Sequence, residues 1–210
     1  VDYNSCSSSP KYITSTATGN PFNFTTTTIP TVATTTATLI STTTASSGGN
    51  VTADGGSSVI ARGVYFGTTA TPTSGTSDGS GNGTFSSSLS SLSVNTQYYY
   101  RAYATNSAGT GYGSEYSFYT LANLPVAPTV NGATATSLNV TLGTGDGNPN
   151  ATEYAIRVGS QYVQADGTLG ATAVWHTATA WGTKTVTGLT PSTVYTFDIK
   201  ARNGANIETA

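Results

Sequence analysis

The sequence predicts an all-β chain of two tandem sandwiches behind an extended N-terminal arm. One corner is written twice, 97 residues apart, as Leu92-Ser93-Val94-Asn95-Thr96-Gln97-Tyr98 and Leu189-Thr190-Pro191-Ser192-Thr193-Val194-Tyr195. The residues after each copy also correspond, with Ala104 opposite Ala201 and Asn106 opposite Asn203. Repetition at that distance, in 210 residues, marks two domains of one kind. Composition agrees: about a third of the residues are Ser or Thr, only 8% are charged and Met is absent. Thr, Val, Ile and Tyr suit a pleated, half-buried surface, and the strong helix formers are scarce.

Residues 1–29 form the arm, where Ser5 to Ser9 is low in complexity and Tyr12, Ile13, Phe22 and Phe24 are the apolar anchors. The segment Phe22 to Thr26 resembles Tyr116 to Thr120, as if a spare copy of a closing strand stood at the front. The first domain spans 30–122. It opens with Thr31-Val32-Ala33 and Ala37 to Ile40, then passes Gly48-Gly49-Asn50 and Asp54-Gly55-Gly56, both of which read as hairpin turns. Val59 to Phe66 reads as a central strand and Thr68 to Gly83, rich in Gly, Ser, Thr and Pro, as a surface loop. Phe85, Leu89 and Leu92 lead into the first corner and the strand Tyr98 to Thr105, in which alternation sends Tyr99 to the face opposite Tyr98 and Tyr100. Tyr112 to Leu121 reads as the closing strand.

Ala122 to Pro128, with two prolines, is a stiff connector. The second domain spans 123–210. Ser137 to Leu142 and Glu153 to Val158 each place alternate apolar residues on one face, as strands with a buried side do. Gln161 to Thr183 carries both tryptophans, and Leu189 leads into the second corner and the strand Tyr195 to Ala201. Only seven residues come after Asn203. The second domain is therefore expected to lack its last strand.

The Leu-x-Pro-x-Thr-x-Tyr of the second corner resembles the tyrosine corner of fibronectin type III and related immunoglobulin-like modules, whose Tyr hydroxyl bonds to nearby backbone. Gly48 to Gly56, Ala61 to Val64 and Tyr100 to Asn106 are similar to modules of bacterial surface proteins, particularly those exported by the type IX route. The resemblance covers residues 31–210. It implies two immunoglobulin-like, fibronectin type III-like β-sandwiches, with Leu92, Tyr98, Leu189 and Tyr195 as structural corner residues. It is specific for architecture and silent on activity, since such modules serve as spacers, adhesins and enzyme appendages.

Chemistry is hard to find in the chain. His176 is the only histidine, so neither a His-based relay nor a multi-His metal site can be built. The nine carboxylates are scattered, without the spacing of a glycosidase pair. Asp146-Gly147-Asn148-Pro149-Asn150 opens like a calcium loop, yet Ala151 stands where that loop needs Gly and Arg157 where it needs a bidentate acid, so it reads as a turn. Five Asn-x-Thr sites, at Asn23, Asn50, Asn82, Asn139 and Asn150, say little in so Thr-rich a chain. Trp175, Trp181, Tyr162 and Tyr195 are weighed as a sugar-stacking platform against the commoner core role of such residues. The expectation is a protein that is not an enzyme, with no catalytic residues, cofactor or metal.

Seven basic residues, none clustered, and a net charge of -2 leave no footprint for nucleic acid or anionic lipid, and no apolar run would insert in a membrane. Cys6 is the only cysteine, so no intrachain disulfide is possible. With no initiator Met or signal peptide, the chain has the look of a mature or excised piece. Scarce charge with abundant hydroxyls suits an extracellular or cell-surface location. A sandwich without its last strand exposes backbone groups that recruit another strand. The partner expected is another copy, with Tyr12, Ile13, Phe22 and Phe24 as donor-strand anchors in a head-to-tail homopolymer. The alternative is a carbohydrate-binding or spacer module from a larger secreted enzyme or adhesin, with surface glycans as its partners.

Overall fold

The computed structural model describes residues 26–210. Tyr12, Ile13, Phe22, Phe24 and Cys6 therefore lie outside the described residues. The first sandwich is built from β1 (Thr31–Thr34), β2 (Ala45–Ala53), β3 (Ala61–Gly67), β4 (Gly83–Leu89), β5 (Gln97–Asn106), β6 (Gly109–Tyr112) and β7 (Tyr116–Tyr119). One sheet has the order β1-β2-β4, and the facing sheet sets β3 on one side of β5 with β6 and β7 on the other. Alternation along β5 sends Tyr98 and Tyr100 into the core and leaves Tyr99 half-buried. Phe118 of β7 closes that core, with its ring 5.9 Å from Tyr98 and 5.6 Å from Tyr100.

The second sandwich comprises β8 (Thr129–Asn131), β9 (Ser137–Thr141), β10 (Glu153–Val158), β11 (Gln161–Val163), β12 (Leu169–Gly170), β13 (His176–Thr177), the one-turn helix α1 (Ala178–Trp181), β14 (Thr183–Thr187) and β15 (Phe197–Arg202). One sheet runs β14-β9-β8. In the other, β10 pairs with β15 and also with β11 and β13, and β12 extends β11. Val140, Ile156, Val163 and Val186 are fully buried between the sheets. Trp181 joins them at 2% exposure because its indole N–H finds the Tyr154 carbonyl at 2.7 Å. The four-residue helix that presents it starts on Thr177, whose Oγ1 accepts the Ala180 N–H.

Four readings of the sequence are corrected. Gly48-Gly49-Asn50 is no turn but the middle of β2, paired with Ser86, Phe85 and Thr84 of β4. Glycine is needed because the sheets nearly touch there: a Cβ on Gly49 would lie 2.7 Å from the Ala102 methyl and 2.9 Å from the Phe85 ring. Asp54-Gly55-Gly56 does turn, with Asp54 Oδ1 accepting the Gly56 N–H at 2.9 Å, but it carries the chain from one sheet to the other instead of closing a hairpin. The closing strand is split into β6 and β7, because Gly113 between them packs against the backbone of Thr34 while its N–H still reaches the Ala102 carbonyl at 2.9 Å. The strand expected from Tyr195 begins only at Phe197.

Candidate assembly site

That late start locates the site. In the first sandwich β7 pairs with Gln97 to Tyr100, and among the described residues it is the only strand beside Gln97 and Tyr98, since β3 reaches no further than Tyr99. The corresponding residues of the second sandwich, Val194 to Phe197, meet no such partner among the described residues, and the first three of them are not strand. Along β15 the ladder to β10 is complete from Phe197 to Arg202. On its other edge a tight turn brings back Ile207 to Thr209: Asn203 N–H reaches the Ile207 carbonyl at 3.0 Å, Thr209 N–H the Ala201 carbonyl at 2.8 Å, and Arg202 bridges Glu208. Backbone groups alternate in direction along a strand, so Ile199 and Phe197 point to the same edge as Ala201. Among the described residues that stretch of edge has no strand beside it.

The side chains show the same gap. Tyr98 is 7% exposed under Phe118, whereas Tyr195 is only half-buried. Val194 stands 92% exposed, the most exposed large apolar side chain among the described residues. Beside them lies an open groove of about 390 Å³ whose apolar wall is Val158, Leu169, Val194 and Tyr195. Both corners are otherwise built alike. Tyr98 Oη accepts the Ser93 N–H at 2.9 Å and Tyr195 Oη the Thr190 N–H at 2.9 Å. Hydrogen bonding from Thr190 holds the Tyr195 hydroxyl below the ordinary phenol range. Leu92 and Leu189 anchor the two corners in their cores at 4% and 6% exposure.

The two sandwiches meet at a polar joint. Asn95 Nδ2 donates to Thr152 Oγ1 at 2.8 Å while Asn95 Oδ1 accepts the Gly204 N–H at 2.9 Å. Asn203 Nδ2 donates to the Thr120 carbonyl at 3.1 Å, and the Tyr119 ring packs where a side chain on Gly204 would stand. Thr120, Thr152 and Asn203 are all buried. Neutral bonds of this kind are each worth about 0.5–1.5 kcal/mol, and a buried partner left unsatisfied costs more. The equivalence of Asn106 and Asn203 was visible in the sequence. Their shared role was not, because it depends on which carbonyl each amide reaches.

The remaining candidates have structural neighbours. Asp146 Oδ2 accepts the Tyr154 hydroxyl at 2.8 Å and Asn148 Nδ2 at 3.0 Å, and Asn148 is bonded in turn to Asn123 at the start of the second sandwich. This loop fastens the connector. His176 meets the edge of Trp181 at 5.1 Å, and Trp175 stacks on Arg202, which is itself bonded to Glu153. Trp181 is buried, and Trp175 and Tyr195 sit at opposite ends of β15, roughly 20 Å apart at the usual strand rise. The four aromatics thus form no single platform. Among the described residues there is no group of three His, Cys, Asp or Glu able to hold a metal ion, and no helix long and apolar enough to cross a membrane.

Residues 124–209 match the sequence model of the fibronectin type III domain family. No curated protein matches the chain. Among solved structures, a two-domain fibronectin type III segment of chicken tenascin is similar with a TM-score of 0.52 at 14% identity, covering 86% of this chain and 94% of that one. The FN1–FN3 domains of chicken CNTN1 give a TM-score of 0.37 at 17% identity, over 87% of this chain and 64% of that one. The tenascin likeness shows the fold, a tandem of fibronectin type III β-sandwiches. Domains of this kind are commonly structural, adhesive or spacer modules and are typically non-catalytic.

Proposed function

We propose that this chain, whose residues 124–209 match the fibronectin type III domain and whose described residues take the tandem fold, is a non-enzymatic structural subunit of an extracellular filament at a bacterial cell surface. Copies join head to tail, with the arm of one supplying the strand beside β15 of the next. The observation that carries this reading is the difference between the two sandwiches: β7 covers the edge and the tyrosine corner in the first, while the same edge in the second borders an apolar groove. A six-residue strand laid there buries about three apolar side chains, each worth about 1.5–3 kcal/mol, and pairs the open backbone as well. That sum is comparable to the stability of a whole small domain, enough to hold subunits together. A head-to-tail contact of this kind propagates unless its rotation closes a ring.

Electron microscopy of the native material tests the reading directly. Density beside Phe197 to Ile199 that continues into the arm of a neighbour is the expected result. Density that continues from Ala210 of the same chain, or from that chain's own arm, overturns it and leaves a spacer module of a larger surface protein. Phe22→Asp together with Phe24→Asp should abolish assembly, read as a fall from polymer to monomer by light scattering. Unchanged polymer size would remove those positions as anchors.

A further inference from the structure

Each sandwich receives the segment that precedes it on an asparagine at the head of its last hairpin. In the second sandwich, Asn203 Oδ1 holds its own turn by accepting the N–H groups of Ala205 at 3.0 Å and Ile207 at 2.8 Å, while Nδ2 holds the Thr120 carbonyl. In the first, Asn106 Oδ1 accepts the N–H groups of Ala108 at 2.8 Å and Gly109 at 3.2 Å, while Nδ2 donates to the carbonyls of Thr28 at 2.7 Å and Asp54 at 2.6 Å. Both asparagines are 3% exposed. Thr28 N–H also reaches the Gly55 carbonyl at 2.8 Å, and Gly55 has positive φ and no room for a side chain because Thr28 lies against it. Thr28 thus takes, on the first sandwich, the place that Thr120 takes on the second.

The surroundings of the two places differ. On the second sandwich the first one is seated over the joint, and Asn95 covers Thr152, which is 0% exposed. The corresponding position in the first sandwich is Ile60. Ala61 pairs with Thr105 and Glu153 with Arg202, and Thr105 and Arg202 immediately precede the two asparagines. Ile60 is 68% exposed, with Ile29 of the incoming segment 51% exposed. The counterpart of a buried interface residue is therefore a bare isoleucine, at the face where the chain enters.

We infer that the Asn106 end of the first sandwich is a docking face for the second sandwich of another copy, seated by the joint that the Asn203 end already uses within the chain. The inference rests on the strand-donation reading: a strand lent to a neighbour's second sandwich leads from it into Thr28, as β7 leads from the first sandwich into Thr120. The corner residue that corresponds to Asn95 is Ser192, and both hold positive φ, 44° and 57°. Ser192 of one copy then faces Ile60 of the next as Asn95 faces Thr152. One joint repeated within and between copies relates every successive sandwich by a near-constant rotation.

A bridging experiment tests this on the full chain. In a Cys6→Ser background, Ser192→Cys with Ile60→Cys is compared with Asn95→Cys with Thr152→Cys, each treated after assembly with a short reagent that links two thiols. The expected result is a ladder of covalent multimers for the first pair and an intrachain link, without gain in mass, for the second. Filaments that form yet give no ladder, while the intrachain pair closes, overturn the docking face and leave strand donation standing. A ladder that survives Phe22→Asp with Phe24→Asp supports the docking face and removes strand donation. Absence of any assembly in the Cys6→Ser chain overturns both.

Discussion

Tyr154 ties a core position to a surface loop with one hydroxyl. Its ring lies in the second core at 6% exposure, and its hydroxyl donates to Asp146 at 2.8 Å. Burial first, and the bond to the Asp146 carboxylate second, push its pKa up to about 12. A folded value above the ordinary 10 means that the folded state keeps a proton the unfolded chain gives up. The stabilisation is whole below pH 10 and is lost as pH rises from there through about 12. Each unit is worth about 1.4 kcal/mol, so the alkaline loss over two units is on the order of 3 kcal/mol. Both tryptophans lie in the second sandwich, so their fluorescence during denaturation reports that domain alone. Tyr154→Phe is expected to lower its stability at pH 7 by about 1.5–3 kcal/mol and to flatten the decline above pH 10. An equally steep decline in the variant would assign the alkaline sensitivity to other groups.

At the scale of the element, β2 separates what the sequence discloses from what it conceals. Period-two alternation marked β10 from Glu153 to Val158, the two strands after the corners, and the burial of Tyr98 and Tyr100 around an outward Tyr99. Alternation is a local property, so it is legible wherever one face of a strand is buried. Gly48 and Gly49 misled for a physical reason: glycine serves equally for a turn and for a strand that another backbone approaches closely, and only the neighbours decide. The same holds for the site. A repeat whose second copy has no counterpart of β7 among the described residues could be read from the sequence, but the groove beside Val194 and the bond from Asn203 to Thr120 depend on contacts far apart in sequence. The β2 assignment yields a test. Gly49→Ala places a methyl 2.7 Å from the Ala102 Cβ and 2.9 Å from the Ala33 carbonyl oxygen, so the sheets must part. Overpacking of that kind costs about 1–3 kcal/mol. The loss should appear as an earlier urea transition in the first sandwich with the tryptophan signal of the second unmoved. A turn at Gly49 would instead tolerate alanine at little cost.

For the whole molecule the decisive quantity is the stiffness of the joint between sandwiches, because the filament proposed above would transmit load and shape only if its links keep their angle. The connector alone, with Pro125 and Pro128, limits extension but does not fix orientation. Orientation is set by Asn95, whose amide bonds both Thr152 and Gly204 across the boundary, and by Tyr119 against Gly204. Asn95 sits at φ 44°, which glycine adopts without new backbone strain. Asn95→Gly therefore removes the two bonds that Asn95 makes across the boundary, keeps the bond from Asn203 to Thr120, and leaves the corner's backbone as it is. Two bonds of about 1 kcal/mol each are enough to raise the population of misoriented pairs roughly thirtyfold. The expected outcome is a broader distribution of inter-sandwich distances by small-angle scattering or paired spin labels, with the unfolding of each sandwich nearly unchanged. If the same joint recurs between copies through Ser192, this variant loosens alternate links only, and its filaments should be more flexible yet still assembled. An unchanged distance distribution would place the stiffness in the Tyr119 and Thr120 contacts instead.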